Sequence, residues 1–280
     1  MPILIDYNQV FISNIIKKIT FEEIDIDDTL VRHMVLNTLR YYRNRFKNKY
    51  GELVICCDNK NYWRKKIFKY YKAHRKKYRE ESDIDWNTLF ECLNKVKAEI
   101  KEFFPYILLE VNSTEADDII AILVEYIEDN HIIVSSDKDF AQLLKFSWVD
   151  QYSPLKKDLI SVEDPEEFKK VHIMRGDRGD GIPNFLSSDS CLVDGERQTP
   201  ISWKKIDNWK KINPEVFCDR EMLKGYKRNQ ELVDFDYIPE DIKNNIIEEY
   251  KNYRENGRDK ILNYFIKNDL KVLTEQIGEF

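Results

Sequence analysis

The first 150 residues alternate short apolar runs with amphipathic segments, a pattern typical of buried strands followed by helices. Apolar runs at 2–6 (PILID), 52–57 (ELVICC), 106–111 (YILLEV), 131–136 (HIIVSS) and 148–153 (WVDQYS) predict five strands. The spacing of apolar residues predicts helices over 28–50, 62–80, 86–103 and 113–129. Strands separated by helices indicate an α/β fold with a mostly parallel, doubly wound sheet.

Beyond Pro154 the pattern becomes mainly helical. Asp164 and Pro165 form a helix cap followed by a first-turn proline, which opens a helix towards Arg175. A glycine-rich turn, GDRGDGIPN, follows, and helices are expected over most of 214–280. We therefore predict an α/β core over 1–160, in which 60–80 form a basic bridging segment, and a smaller, mainly helical domain over 161–280.

Composition narrows the class of protein. With 280 residues and 42% hydrophobic residues, the chain can build a sizeable core. The apolar runs are far shorter than the roughly 20 residues of a membrane span, and no basic stretch precedes Asp6 as it would in a signal peptide. The five cysteines lack CxxC spacing, which argues against disulfides or a zinc site. We expect a soluble, intracellular, cytoplasmic monomer (in the host cytoplasm if the protein is viral).

Acidic residues recur where the predicted strands end, the edge at which open α/β sheets bind ligands. The full set also includes acids in the first turn of the helix after the third strand and in the later glycine turn: Asp6, Asp58, Glu115, Asp117, Asp118, Asp137, Asp139, Asp177 and Asp180. A lone aspartate after a strand is usually a turn or cap residue, and a first-turn acid usually complements the helix dipole. So many acids at one edge would raise one another's pKa unless a cation neutralises them.

Carboxylates are the ligands that Mg²⁺ and Mn²⁺ prefer. Because one Mg²⁺ takes only one or two protein carboxylates, the set predicts two ions. Two-metal sites typically hydrolyse phosphodiesters, by activating water and stabilising the leaving oxygen.

The helix over 113–129 separates its three acids. At 100° per residue its apolar stripe contains Ala116, Ile120, Leu123 and Ile127. Glu115 and Asp117 flank that stripe, whereas Asp118 lies nearly opposite, where it would face solvent or support the ligands from behind. Thr114 is the expected N-cap.

The bridging segment is strongly basic, with ten Lys or Arg and no acid between Lys60 and Arg79. Arg64 and Lys72 are eight residues apart, so on one helix they would share a face and hold the scissile phosphate. Its other basic residues are expected to bind backbone phosphates: Lys65, Lys66, Lys69, Arg75, Lys76, Lys77 and Arg79. The interleaved aromatic residues could stack on an unpaired base. The alternative, a solvated helix face, stays open for Lys76, Lys77 and Arg79.

Taken in order, the terminal Asp of the first strand, CDN…YWR, EADD, SSDKDF and GDRGD resemble the structure-specific 5′ nucleases, the flap endonuclease family. The likeness extends to GERQTP, LVDFDYIP and the final GEF, so it covers most of the chain. One departure concerns the glycine turn, where GDGIPNFLSSDS lacks the later glycines of the family's duplex-binding hairpin. A potassium site, which often accompanies that hairpin, is therefore not expected.

The resemblance implies a Mg²⁺-dependent enzyme that removes short products from 5′ ends, with RNA·DNA hybrid and flap or forked duplex DNA as substrates. Primer removal during DNA replication would be its role, and a single-stranded-DNA-binding protein a partner. The family's motifs make the nine acids metal ligands, direct or through water, with Asp118 the least central. They place Arg64 and Lys72 beside the scissile phosphate and 60–80 as an arch over the site.

Two other functions remain open at this stage. A compact PIN-like ribonuclease, cutting single-stranded RNA, would share the acidic sheet edge. A non-catalytic module that recognises DNA structure would share the basic segment. The long basic segment and the large C-terminal half argue against the first, and the intact acids against the second.

Overall fold

The computed structural model describes residues 1–254 and 256–280. A six-stranded sheet forms its centre, in the order β3-β2-β1-β4-β5-β6. The strands are β1 Pro2–Asp6, β2 Glu52–Cys56, β3 Ile107–Leu109, β4 His131–Val134, β5 Val149–Ser153 and β6 Asp158–Ile160. The first five are parallel, which confirms the predicted sheet; β6, which was not predicted, pairs antiparallel with β5.

Helices cover both faces of the sheet, as fully buried parallel strands require. Ile3 and Ile5 of β1 face one layer, and Leu4 faces the other. The first layer contains α1 Tyr7–Glu22, α2 Asp28–Tyr50, α5 Trp86–Phe103, α12 Asp259–Lys267 and α13 Lys271–Thr274. The second contains α6 Ala116–Ile127, α11 Glu240–Asn252 and a 3₁₀ helix over Lys138–Lys145. The predictions did not include α1, which follows β1 directly.

A third apolar cluster lies beyond the sheet, in the C-terminal half. It involves α7 Pro165–Arg175, α8 Trp203–Trp209, α9 Pro214–Phe217 and α10 Arg220–Val233. Short 3₁₀ turns lie at Phe235–Tyr237 and Ile277–Glu279. Phe68 and Tyr71 of the basic segment are buried in this third cluster. The division of the chain near residue 160 stays a prediction.

The basic segment is not the single helix predicted over 62–80. It contains two short helices, α3 Arg64–Ile67 and α4 His74–Glu80, joined by a turn in which Lys72 adopts a φ of 55°. Phe68 and Tyr71 lie in that turn, and their burial in the third cluster explains the break. Within residues 1–254 and 256–280, no helix has both the length and the apolar character needed to cross a bilayer.

Candidate active site

Asp6 ends β1 and at the same time caps α1. Its Oδ1 accepts a hydrogen bond from the backbone N–H of Gln9 (3.2 Å), and its Oδ2 accepts one from the Ser135 hydroxyl (2.9 Å). The side chain is only 3% exposed. Because a strand end and a helix start are both fixed at this residue, its carboxylate has little freedom to move.

Asp58 connects two other parts of the same edge. Its Oδ1 accepts from the backbone N–H of Ala116 (2.8 Å), at the start of α6. Its Oδ2 accepts from the Asn8 side-chain amide (2.7 Å), in the first turn of α1. The carboxylate after β2 is thereby held between the helices that follow β1 and β3.

Asp137 and Asp139 follow β4, as the SSDKDF motif predicts. Asp137 caps the 3₁₀ helix, since its Oδ1 accepts from the backbone N–H of Asp139 (3.0 Å). The Ser135 hydroxyl accepts from the backbone N–H of Asp137 (3.1 Å). A backbone amide thus orients the Asp137 carboxylate, whereas Asp139 Oδ1 has no hydrogen-bond partner within residues 1–254 and 256–280.

Burial and mutual repulsion raise the pKa of several of these carboxyls. Burial, with the charges of Asp58 and Asp137, raises the pKa of Asp6 from 3.8 to about 7. Burial, Asp137 and Asp6 raise the pKa of Asp117 well above its ordinary value. The pKa values of Asp137 and Asp139 are also raised, first by burial and then by their acidic neighbours. An added cation would stabilise all four in their charged forms.

The prediction that Thr114 is the N-cap of α6 was wrong. Glu115 is the N-cap and forms a capping box with Asp118, whose Oδ2 accepts from the backbone N–H of Glu115 (3.0 Å). The Thr114 hydroxyl donates instead to the carbonyl of Val111 (2.8 Å). A carboxylate in the cap position adds Glu115 to the acids at the sheet edge, beside Asp117.

The expectation that Asp118 faces solvent was also wrong, because the basic segment covers this side of α6. Asp118 is 0% exposed. The Arg64 guanidinium lies 2.8 Å from its Oδ1, and the Trp63 indole N–H donates to its Oδ2 (3.0 Å). The buried position of Asp118 matches the other expectation, that this residue supports the metal ligands from behind.

Arg64 itself is buried, with 3% of its surface exposed. Its Nη1 donates to Glu115 Oε2 (3.0 Å), and its Nε donates to the carbonyl of Leu232 (2.9 Å). Burial opposes the charged guanidinium, but Asp118 and Glu115 outweigh it and keep the Arg64 pKa well above its ordinary value. In this conformation Arg64 binds carboxylates, and its contact with a phosphate stays a prediction.

Lys72 reaches Glu115 from a different turn of the chain, so the predicted shared helix face with Arg64 was wrong. The Lys72 ammonium pairs with Glu115 and lies 3.5 Å from Asp180 Oδ2. Arg75 pairs with the other oxygen of Asp180 (2.6 Å). Burial would raise the pKa of Glu115, but Lys72 and Arg64 outweigh it and lower that pKa to about 2.

His172 is a site residue that the sequence analysis missed. One ligand atom from each of Asp139, His172 and Asp177 lies within 4.8 Å of the other two. The histidine comes from α7, 33 positions after Asp139 in the numbering, and no metal-binding spacing marks it. The only sequence signal is its place five residues before Asp177, too common a spacing to predict contact.

Most of the other basic residues of the segment line one or both of two adjoining cavities. One, of about 590 Å³, is lined by Asp6, Asp58, Asp117 and Asp137 together with Lys72 and Arg75. The other, of about 860 Å³, is lined by Lys65, Lys69, Arg79, Trp86 and Phe90, among others. Lys65, Lys66, Lys69, Lys76, Lys77 and Arg79 are exposed. Lys76 and Lys77 form i,i+4 pairs with Glu80 (3.9 Å) and Glu81 (3.8 Å), which leaves the solvated-face alternative open for them.

The donor set fits divalent cations. Its members are carboxylate oxygens at a buried edge, where burial and then neighbouring acids raise several pKa values. Within residues 1–254 and 256–280, Asp139 Oδ1 and His172 Nδ1 are buried without a hydrogen-bond partner. Oxygen-rich sites of this kind suit hard divalent ions.

Comparisons with known proteins agree with this chemistry. Residues 5–172 match the family model of the 5′-3′ exonuclease N-terminal resolvase-like domain. Residues 165–280 match the model of the T4 RNase H C-terminal domain. Ribonuclease H of Enterobacteria phage T4 is 36% identical over 297 aligned positions, which cover 99% of this chain and 95% of that protein. Flap endonuclease Xni of Shewanella denitrificans is 31% identical over 64% of this chain and 73% of its own length.

A solved structure of T5 5′-exonuclease with bound zinc ions has the same fold. Its TM-score is 0.63 at 17% identity, over 90% of this chain and 99% of that one. A complex of the T5 flap endonuclease with DNA and metal ions superposes with a TM-score of 0.61, also at 17% identity, over 89% of this chain and 99% of that one. With its two halves matched by the two family models and its full length by a phage relative, the chain belongs to the 5′-3′ exonuclease family of metal-dependent nucleases.

Proposed function

We propose that the chain hydrolyses phosphodiester bonds near the 5′ ends of RNA·DNA hybrid and of flap or forked DNA, with two Mg²⁺ ions that Mn²⁺ can replace. Removal of RNA primers during DNA replication is the role that we infer. The observation that carries the proposal is the acidic edge of the sheet, where burial and repulsion raise the pKa values of four aspartates. The relatives named ribonuclease H and flap endonuclease support the choice of substrates.

We assign the first ion to Asp6, Asp58, Asp117 and Asp137, which line one cavity. Hydrogen bonds from Gln9, Ala116 and the Ser135 hydroxyl hold Asp6 and Asp58 in place before any ion binds. Bound divalent ions would supply activation of the attacking water and charge stabilisation at the leaving oxygen. The chain's own contribution is a preorganised, partly buried set of oxygens.

We assign the orientation of the substrate to the cations that line this cavity. Lys72 and Arg75 line it together with the acids, so a phosphate bound at the carboxylates would lie close to both. Arg64, buried among Glu115, Asp118 and Leu232, supports the position of Glu115. Exposed Lys65, Lys66 and Lys69 would bind backbone phosphates without reading sequence.

The test compares three labelled substrates in Mg²⁺: an RNA·DNA hybrid, a 5′-flap DNA and plain single-stranded RNA. Short 5′ products from the first two, with little cutting of the third, are expected. Cleavage of single-stranded RNA alone would favour a PIN-like ribonuclease. Flap binding without cleavage would favour a module that recognises DNA structure. Either result would overturn the proposal.

A further inference from the structure

His172 lies near the end of α7 and is almost enclosed, with 6% of its surface exposed. The Phe168 ring packs edge-on against the imidazole, with 6.0 Å between the ring centroids. Asp139 and Asp177 lie on the imidazole's two nitrogens. Packing alone does not account for an imidazole that lies between two carboxylates of the candidate active site.

Asp177 interacts with one side of the ring. Its Oδ2 lies 3.2 Å from His172 Nε2 and 2.9 Å from the Lys138 ammonium. Its Oδ1 accepts from the backbone N–H of Asp180 (3.1 Å). Since a carboxylate only accepts hydrogen bonds, this contact places a proton on Nε2.

The opposite nitrogen has no such partner. His172 Nδ1 lies 3.4 Å from Asp139 Oδ1, and each of these atoms is buried without a hydrogen bond from the described residues. In the neutral ring with its proton on Nε2, Nδ1 carries a lone pair. A lone pair directed at an ionised carboxylate oxygen is repulsive, so the arrangement needs a proton or a metal ion between the two atoms, and a divalent ion would take the place of that proton.

We propose that His172 Nδ1 and Asp139 bind a divalent ion together, and that Asp177 fixes the ring by accepting from Nε2. Ligand atoms held about 2.1 Å from one ion lie roughly 3 Å apart when adjacent, close to the separation seen here. A carboxylate on the second imidazole nitrogen is the usual way in which proteins orient a histidine ligand. The inference rests on the proposed function, because it concerns one ion of that same centre.

A nitrogen ligand changes which metals the site prefers. Imidazole is a better ligand for transition-metal ions than for Mg²⁺, which favours oxygen. Mn²⁺ stands at the weak end of that transition-metal series and also accepts carboxylates, so it can occupy a mixed site of this kind. The His172 site should therefore select Mn²⁺ over Mg²⁺ more strongly than the carboxylate set around Asp6 and Asp117. Mn²⁺ is then the natural probe, because it is paramagnetic and reports directly on nitrogen in its coordination sphere.

The experiment is pulsed electron paramagnetic resonance on the full chain loaded with Mn²⁺, without substrate. Hyperfine coupling from a directly bound nitrogen is expected, and it should change when the protein carries isotope-labelled histidine. His172→Gln keeps an N–H that can reach Asp177 but lacks the ring nitrogen, so the coupling should disappear. His33→Gln, on α2, is the matched control and should leave the signal intact.

A second measurement follows the competition between metals. His172→Gln should lower Mn²⁺ affinity by at least about tenfold, since mutation even of a residue that only supports a ligand costs that much. Mg²⁺ affinity should fall less, so the ratio of Mn²⁺ to Mg²⁺ affinity should fall as well. Bound Mn²⁺ without nitrogen coupling would overturn the inference and leave the two-metal proposal standing. No Mn²⁺ binding at all would instead overturn the proposed function.

Discussion

At the scale of single residues, several acidic side chains of the candidate site also cap helices. Asp6 caps a helix, Asp137 caps another, and Glu115 caps a third. The places of Asp6 and Asp137 were predictable because each directly follows an apolar run that predicts a strand, whereas the cap of α6 was expected at Thr114 and lies at Glu115. The places of Asp118 and His172 were not predictable, since their surroundings come from segments distant in sequence: Trp63 and Arg64 in one case, α7 in the other.

We expect the Asp117 carboxylate to be required for cleavage but to destabilise the metal-free fold. Its pKa is raised well above the ordinary value, by burial and then by Asp137 and Asp6, so its charge destabilises the metal-free fold. Asp117→Asn should abolish cleavage yet raise the melting temperature of chelated protein by about 2–4 °C, the shift that ~1 kcal/mol gives in a chain of this size. Activity assays and calorimetry at neutral pH measure both.

Asp241→Asn serves as the matched control for that variant, because Asp241 is an exposed residue in the first turn of α11. It should leave both cleavage and melting temperature unchanged. Near-normal activity in Asp117→Asn would show that this carboxylate is not a required ligand. A lower melting temperature would show that its charge is already compensated without metal.

At the scale of elements, the basic segment and the start of α6 are held together by buried charge. Nothing between Lys60 and Arg79 signals the break in the predicted helix, because the stretch contains neither Gly nor Pro. The break follows from tertiary packing, which places Phe68 and Tyr71 in the C-terminal cluster. Helical periodicity correctly predicted helices between the strands. It could not predict that Phe68 and Tyr71 pack in one cluster with residues more than a hundred positions away, such as Ile173.

Arg64 and Lys65 are neighbours in sequence with opposite expected phenotypes. Arg64→Ala removes the counter-charge of buried Asp118 and one of the two cations paired with Glu115, so unfolding free energy should fall by about 3–5 kcal/mol. Denaturant titration measures this loss. An unchanged midpoint would mean that the buried network contributes little to the fold.

Lys65→Ala should leave stability unchanged, because the side chain is exposed. If Lys65 contacts one backbone phosphate, the slope of log affinity against log salt should shrink by about 1 for every DNA sequence tested. Binding measured in Ca²⁺ at several salt concentrations gives that slope. The same slope in wild type and variant would leave Lys65 as solvated surface charge.

At the scale of the whole molecule, the free energy of unfolding is expected to depend on pH and on metal binding through the same carboxyl groups. The Asp6 pKa is about 7 in the folded protein against an ordinary 3.8, so between these values the folded state holds a proton that the unfolded state lacks. Unfolding free energy of metal-free protein should therefore fall as pH rises through this window, by up to about 1.4 kcal/mol per pH unit from this group. Above pH 7 the decline from Asp6 should stop.

Thermal unfolding in chelator between pH 4.5 and 7.5 measures that slope. Asp6→Asn retains an N-cap that works about as well as aspartate, so it should flatten the decline without loss of the helix. Saturating Mg²⁺ should flatten it too, because a bound cation favours the charged carboxylate. Stability that rises with pH in the chelated wild type would contradict the assignment of a raised pKa to Asp6.

The ammonium of Lys72, paired with Glu115 and close to Asp180, has a thermodynamic consequence for the chain around it. Glu115 and Asp180 are both expected from the sequence to be metal ligands. A divalent ion that binds either of them competes with this ammonium for the same oxygens, so each would weaken the binding of the other by an equal factor. Adding Mg²⁺ should then speed amide hydrogen exchange in the turn around Lys72, loosening the segment just as the centre fills. Metal occupancy and mobility of the basic segment would then be thermodynamically coupled. The segment would be most mobile when the proposed ions are bound, which is when a substrate strand would need to pass it.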